Sequence, residues 1–162
     1  MRRASGFTLV ELLVSIAILA LLSTVALPAL SNLLDVRGVA AVGCLRSDLE
    51  FVRGLALASG RPHRAVFDLP GNRYRLEQWS ATEWVPLLDP LTHRPAETRF
   101  DVEPHFQGIQ LTAAVFGDQP VVSFDADGSP SAAGSATLVS GAREYRVEVS
   151  NWGLVNVVLP ED

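Results

Sequence analysis

Lysine is missing altogether from the 162 residues, and cysteine and methionine occur once each. A single cysteine, Cys44, excludes a disulfide within the chain, and a small apolar side chain on a helix is the simplest reading of it. The three histidines, His63, His93 and His105, stand far apart with no second ligand at metal spacing. Neither a Gly-x-Ser-x-Gly elbow nor a phosphate-binding glycine loop is present. These absences leave no catalytic residue, metal ligand or cofactor to expect. Asp125 to Ser129, "DADGS", has the opening of a calcium loop, but with Asp125 and Asp127 as its third and fifth residues the closing position falls on Gly134, where the loop needs glutamate. Aspartate and glycine are also what a tight turn asks for.

Positive charge is scarce as well. The net charge is −5, and beyond Leu30 eleven arginines stand against seventeen acids, a balance of −6. An acidic body of this kind is repelled by nucleic acid and by anionic lipid, so DNA is not an expected partner. At this length the chain holds one domain and one core, plus its N-terminal segment. Internal repeats and low-complexity stretches are absent.

What the chain does have is a long apolar run, from Phe7 to about Leu30, with Glu11 as its sole charge. A charge inside a membrane helix costs on the order of 3 kcal/mol, so the glutamate demands a reason. A cleaved secretory signal has a shorter apolar core, although "ALPA" at 26–29 would suit its cutting enzyme. A plain membrane anchor fits better: the 21 residues Phe7 to Leu27, at about 1.5 Å each, cross a hydrocarbon layer of roughly 30 Å. Arg2 and Arg3 would then stay cytoplasmic and the chain after Leu30 would lie outside. Neither reading explains Glu11.

Arg2 and Arg3, then Gly6, Phe7, Thr8, Leu9 and Glu11 ahead of a long apolar helix, resemble the type IV prepilin signature. The resemblance implies that residues 1–6 are a leader removed by a membrane prepilin peptidase, which cuts between Gly6 and Phe7 and methylates the new Phe7 amine. Residues 7–30 would remain as the transmembrane and filament-core half of a long helix. Glu11 would dock on the N-terminal amine of a neighbouring subunit, a pairing favoured because both charges are costly when left single away from water. Pro28, which lacks an amide hydrogen, would kink or loosen the helix one turn back, near Thr24. The partners implied are the prepilin peptidase, other pilin or pseudopilin subunits, an inner-membrane assembly platform, and membrane lipid before assembly. The implied location is the bacterial inner membrane, single-pass with the N-terminus cytoplasmic and the C-terminal domain periplasmic, and then the pilus or pseudopilus.

Beyond the apolar run, Val42, Leu45, Leu49, Val52 and Ala56 recur at alternating spacings of three and four, one stripe of an amphipathic helix over residues 31–60. Gly38, Gly43 and Gly54 each weaken such a helix by roughly 1 kcal/mol relative to alanine, and Gly60 with Pro62 marks its stop. Residues 61–162 then read as a periplasmic β-rich domain. "RAVFDL" and "NRYRLEQW" alternate apolar with polar and join at "PGN", a hairpin; later strand-like runs are "TRFDVE", "IQLTAAVF", "VVSFD", "SATLVS", "REYRVEVS" and "GLVNVVL". Trp84 to Pro95, with Pro86 and Pro90, reads as an exposed loop. The expected fold class is α+β, a long N-terminal helix packed on an antiparallel sheet.

Residues 121–157 resemble the end of the GspH/FimT group of minor pilins and pseudopilins, which shows a Phe-x-x-x-Gly turn, a strand pair and a final Gly-Arg-Val-like strand. Phe124 and Gly128 match the first feature, Tyr145, Val147 and Val149 the second, and Gly153 and Val155 the last. Residues 45–76 are similar to the group's helix end and first strand, whereas 80–110 are not. The group implies a structural filament subunit, with a DNA-receptor pilin for natural transformation as the alternative. Receptors of that kind carry arginines in a Gly-Arg-x-Arg pattern on the last strand, and here Gly153 is followed by Leu154, Val155 and Asn156. The remaining nucleic-acid candidates are Arg61, Arg64, Arg73 and Arg75, grouped with His63 but expected to pair with Asp68 and Glu77 on a solvated face.

Overall fold

The computed structural model describes the backbone of residues 8–160 and the side chains of 8–22 and 34–160. Two compact units are present, residues 1–33 and 34–162, and the helix α1, Leu9–Ser59, contributes to both. In the first unit the large apolar side chains from Leu9 to Leu22 point outward around the whole circumference. The expected span 7–30 falls only partly within the described residues, among which no helix is long and apolar enough to cross a membrane. Pro28 lies inside α1, so it does not end the helix; its side chain is outside the described set.

The second unit begins with the remaining turns of α1. Val42, Leu45, Leu49, Val52 and Ala56, the stripe read from spacing alone, are almost completely removed from solvent and join one apolar cluster with both sheets. Burial of this stripe is why the helix tolerates its glycines. Gly38 is in fact required, because a Cβ there would overlap the ring of buried Tyr145. Gly60 ends the helix with φ of +64°, and its amide donates to the Ala56 carbonyl at 3.0 Å.

The strands divide into two antiparallel sheets, which refines the single sheet expected. β1 (His63–Asp68), β2 (Arg73–Trp79) and β6 (Val121–Phe124) belong to the first, in spatial order β2-β1-β6. Along the outer edge of β2 run two short strands, β3 (Trp84–Pro86) beside its C-terminal half and β4 (Glu97–Arg99) beside its N-terminal half. The stretch Trp84 to Pro95 is therefore a correction to the loop reading: it opens with a strand, and Leu88 bridges Pro95 across a small ordered excursion. Likewise "TRFDVE" is a strand only as far as Arg99, since Phe100 turns into the core and a 3₁₀ turn follows at Pro104–Phe106.

The second sheet has the order β5 (Ile109–Phe116), β7 (Gly134–Ser140), β8 (Arg143–Val149), β9 (Val155–Val158). β5 changes phase at a bulge between Leu111 and Ala113, so Ile109 and Leu111 face inward before it and Ala114 and Phe116 after it. The sheets share one apolar cluster, and two ties between them are specific. Phe67 of β1 stacks on Phe116 of β5 at 5.5 Å between ring centroids. Asn72, held at φ +47° in the predicted hairpin turn, donates its side-chain amide to the Ile109 carbonyl at 2.9 Å and accepts the Leu111 amide at 2.7 Å, acting as a short piece of extra strand.

Candidate functional site

The N-terminal motif is built as a helix start. The amide and hydroxyl of Thr8 both donate to Glu11 Oε2 at 3.1 Å, and the Glu11 amide donates back to Thr8 Oγ1 at 3.2 Å. This reciprocal arrangement is a capping box, in which the carboxylate satisfies an amide that the first turn of a helix leaves without a partner. Its negative charge also lies at the positive end of the helix dipole. Ser15 then closes the first turns by donating its hydroxyl to the Glu11 carbonyl at 2.7 Å. The spacing Thr-x-x-Glu was legible in the sequence, and Thr8 is the residue that reading by resemblance alone left without a role. Gly6 and Phe7, the residues expected to be processed, lie outside the described residues.

The arginine cluster sits on the outer face of the first sheet, and its members are matched by carboxylates. Arg64 binds Glu77 at 2.6 Å, Arg75 binds the other oxygen of Glu77 at 2.7 Å, and Arg73 binds Asp68 at 2.8 Å and Glu97 at 3.3 Å. Cross-strand register dictates this, since Arg64 lies opposite Glu77 and Asp68 opposite Arg73. Burial opposes the charge on Glu77, but the hydrogen bonds from Arg75 and Arg64 together outweigh it and hold the carboxyl below the usual glutamate range. Arg64 also lies over the Trp84 ring, 4.2 Å from its centroid. Arg61 is exposed, whereas His63 is buried, with Nδ1 2.9 Å from the Arg61 carbonyl oxygen.

The C-terminal features converge on one side chain. Arg53, near the end of α1, donates Nε–H to the Gly128 carbonyl at 3.1 Å and Nη2–H to the Trp152 carbonyl at 3.4 Å. Gly128 and Gly153 both adopt positive φ, and a Cβ on Gly153 would come within 2.7 Å of the Gly128 carbonyl oxygen. The two turns that resembled the group's signature are thus packed against each other and fastened to the helix by one guanidinium. "DADGS" forms the first of them, with the Asp127 carboxylate accepting the Ser129 amide at 2.9 Å.

Comparisons with known proteins agree with this geometry. The prokaryotic N-terminal methylation motif matches residues 1–27, and the family described as type II transport protein GspH matches residues 41–153. A solved structure of the minor pseudopilin EpsH from the Type 2 Secretion System of Vibrio cholerae is similar, with 14% identity and a TM-score of 0.62 over 78% of this chain and 99% of that one. A second structure of the same Vibrio cholerae protein aligns with 14% identity and a TM-score of 0.60, over 79% and 97% of the two chains. At that identity the likeness establishes the fold. No curated protein matches the sequence. With a family match over most of its length and a pseudopilin fold, the chain belongs to the GspH family of type IV pilin-like proteins.

Proposed function

We propose that this protein is a structural minor pseudopilin, cut between Gly6 and Phe7 by a prepilin peptidase and incorporated into, or initiating, a filament of the type II secretion or type IV pilus class. The observation that carries the reading is the Thr8–Glu11 capping box at the head of an apolar helix, in a chain whose first 27 residues match the methylation motif. In the free chain Glu11 fastens its own helix start through Oε2. After cleavage the Phe7 amine of a neighbouring subunit becomes its docking partner and sets the axial register of the bundled helices. Residues 7–30 act as the membrane anchor before assembly and as filament core afterwards, with residues 31–60 continuing the helix, Pro28 as its kink, and residues 61–162 as the periplasmic domain. Partners of this role are the other pilin or pseudopilin subunits, the inner-membrane assembly platform and membrane lipid. The role is structural, not enzymatic.

A DNA-receptor role draws no support from the sheet face, because Arg64, Arg73 and Arg75 are already matched by Glu77, Asp68 and Glu97. Phosphate binding would have to break those pairs on a body of net charge −6. Intact mass of the protein from native membranes, beside a strain lacking the peptidase, tests the main reading. A species beginning at methylated Phe7, lost without the peptidase, is expected; a chain still beginning at Met1, or cut after Ala29, would overturn it.

A further inference from the structure

A groove of about 250 Å³ opens between α1 and the segment 87–98, lined on the helix side by Cys44, Asp48 and Phe51. Phe51 of the helix, 49% exposed, and Leu88, 55% exposed, form its apolar rim above Leu87 and Ala96. The outer wall is built. Ala96 donates its amide to the Leu87 carbonyl at 2.7 Å, and Asp89 Oδ1 accepts the amides of Leu91 and Thr92, each at 2.7 Å. A wall already held this way has little conformational freedom left to lose when something binds.

The charge of the lining has one sign. Its acids are Asp48, Asp89 and Glu97, and no basic residue contributes to it. Glu97 is matched by Arg73, but among the described residues Asp48 and Asp89 make no ion pair. Asp48 is partly buried and its Oδ2 accepts the Tyr74 hydroxyl at 2.6 Å. Burial pushes its carboxyl above the usual range, against the Tyr74 bond, and Glu103 adds to the shift. A half-buried carboxylate beside apolar walls with no cation is an arrangement that a cation relieves.

We infer that this groove receives a segment of a neighbouring filament subunit that presents an arginine or lysine beside an apolar side chain. The cation meets Asp48, with Asp89 near the mouth, and the apolar side chain lies on Phe51 and Leu88. An acidic segment would add charge of the sign already in excess, and a wholly apolar one would bury Asp48 unmatched. The inference rests on the filament reading proposed above, and it assigns a partner-specific contact to the stretch 87–98.

The test uses the full-length protein in its native membrane, with a photoreactive amino acid in place of Leu88. The expected crosslink joins another filament subunit within two residues of an arginine or lysine. Asp48→Arg is expected to cut the crosslink at least tenfold, and replacing that partner cation with glutamate in the same strain restores it. Asp48→Asn, which keeps an acceptor for Tyr74, lowers the yield while the body stays folded, checked by protease resistance no lower than that of the unsubstituted chain. A crosslink at a site without a cation, or one indifferent to both Asp48 variants, would overturn the inference while leaving the filament reading standing. Failure of the unsubstituted chain to enter a filament would instead overturn that reading, and the groove's assigned partner with it.

Discussion

The two stretches of α1 that lie in different units put their apolar residues to different uses. From Leu9 to Leu22 they cover the whole circumference and stay outside, Leu9 at 76% and Leu21 at 74% exposed. From Val42 to Ala56 the stripe Val42, Leu45, Leu49, Val52 and Ala56 is turned inward, none of the five more than 1% exposed, and Phe51 lies off it. A helix apolar on every side finds its burial in lipid or among other helices, whereas a one-faced helix completes a core with its own sheets. On the proposed role, fold stability and assembly are carried by different residues of one helix, and a substitution should disturb one without the other.

The largest expected effect is in the stripe. Leu49→Ala removes a side chain with no exposure and should cost about 2 to 5 kcal/mol, read as a lower thermal midpoint, while Leu13→Ala should leave that midpoint unchanged. Equal shifts would break the comparison. Gly38→Ala comes next: overlap with Tyr145 should cost about 1 to 3 kcal/mol, although alanine is the better helix former. Gly54→Ala, with open space at its Cβ, should instead stabilise by up to about 1 kcal/mol. Opposite signs for two glycines on the same helix would confirm that packing, not propensity, decides each.

Glu77 gives a pH signature confined to the second unit. Its folded carboxyl lies below the ordinary glutamate value, so its contribution is present above that value and is lost as pH falls through the lowered one. Glu77→Gln should therefore flatten the acid limb of the stability curve. Asp48 has the opposite sign: its carboxyl is raised, so its protonated form favours folding at low pH and that contribution fades as pH rises through the raised value. Asp48→Asn should therefore raise stability in neutral solution relative to acidic solution, the reverse of Glu77→Gln. The smallest effect on the core is at the other end of the helix, where Thr8→Ala should cost on the order of 1 kcal/mol of local helix stability and leave the thermal midpoint of the body unmoved. Glu11→Ala should likewise spare folding but reduce entry into the filament, measured by subunit pull-down.

Much of this was readable from residue types in order. The stripe follows from 3.6-residue periodicity, the stop from Gly60, and the hairpin from Pro70-Gly71-Asn72, because each is local chemistry acting within a few residues. What escaped was non-local. Trp84–Pro86 looks like loop because its proline forbids a central strand, yet an edge strand tolerates it, and only pairing with β2 reveals the edge. The bulge in β5 was hidden because one extra residue leaves composition unchanged.

The N-terminal motif, the helical stripe and the matching of arginines to acids across β1 and β2 were determined by the sequence itself, since spacing along one element sets which side chains can meet. Tertiary structure alone decided that the strands split into two sheets joined through Asn72, that Arg53 fastens two distant glycine turns, and that Asp48 ends up half-buried against the Tyr74 hydroxyl. Those contacts join residues dozens of positions apart, so they exist only once the core has closed and brought them within hydrogen-bond reach.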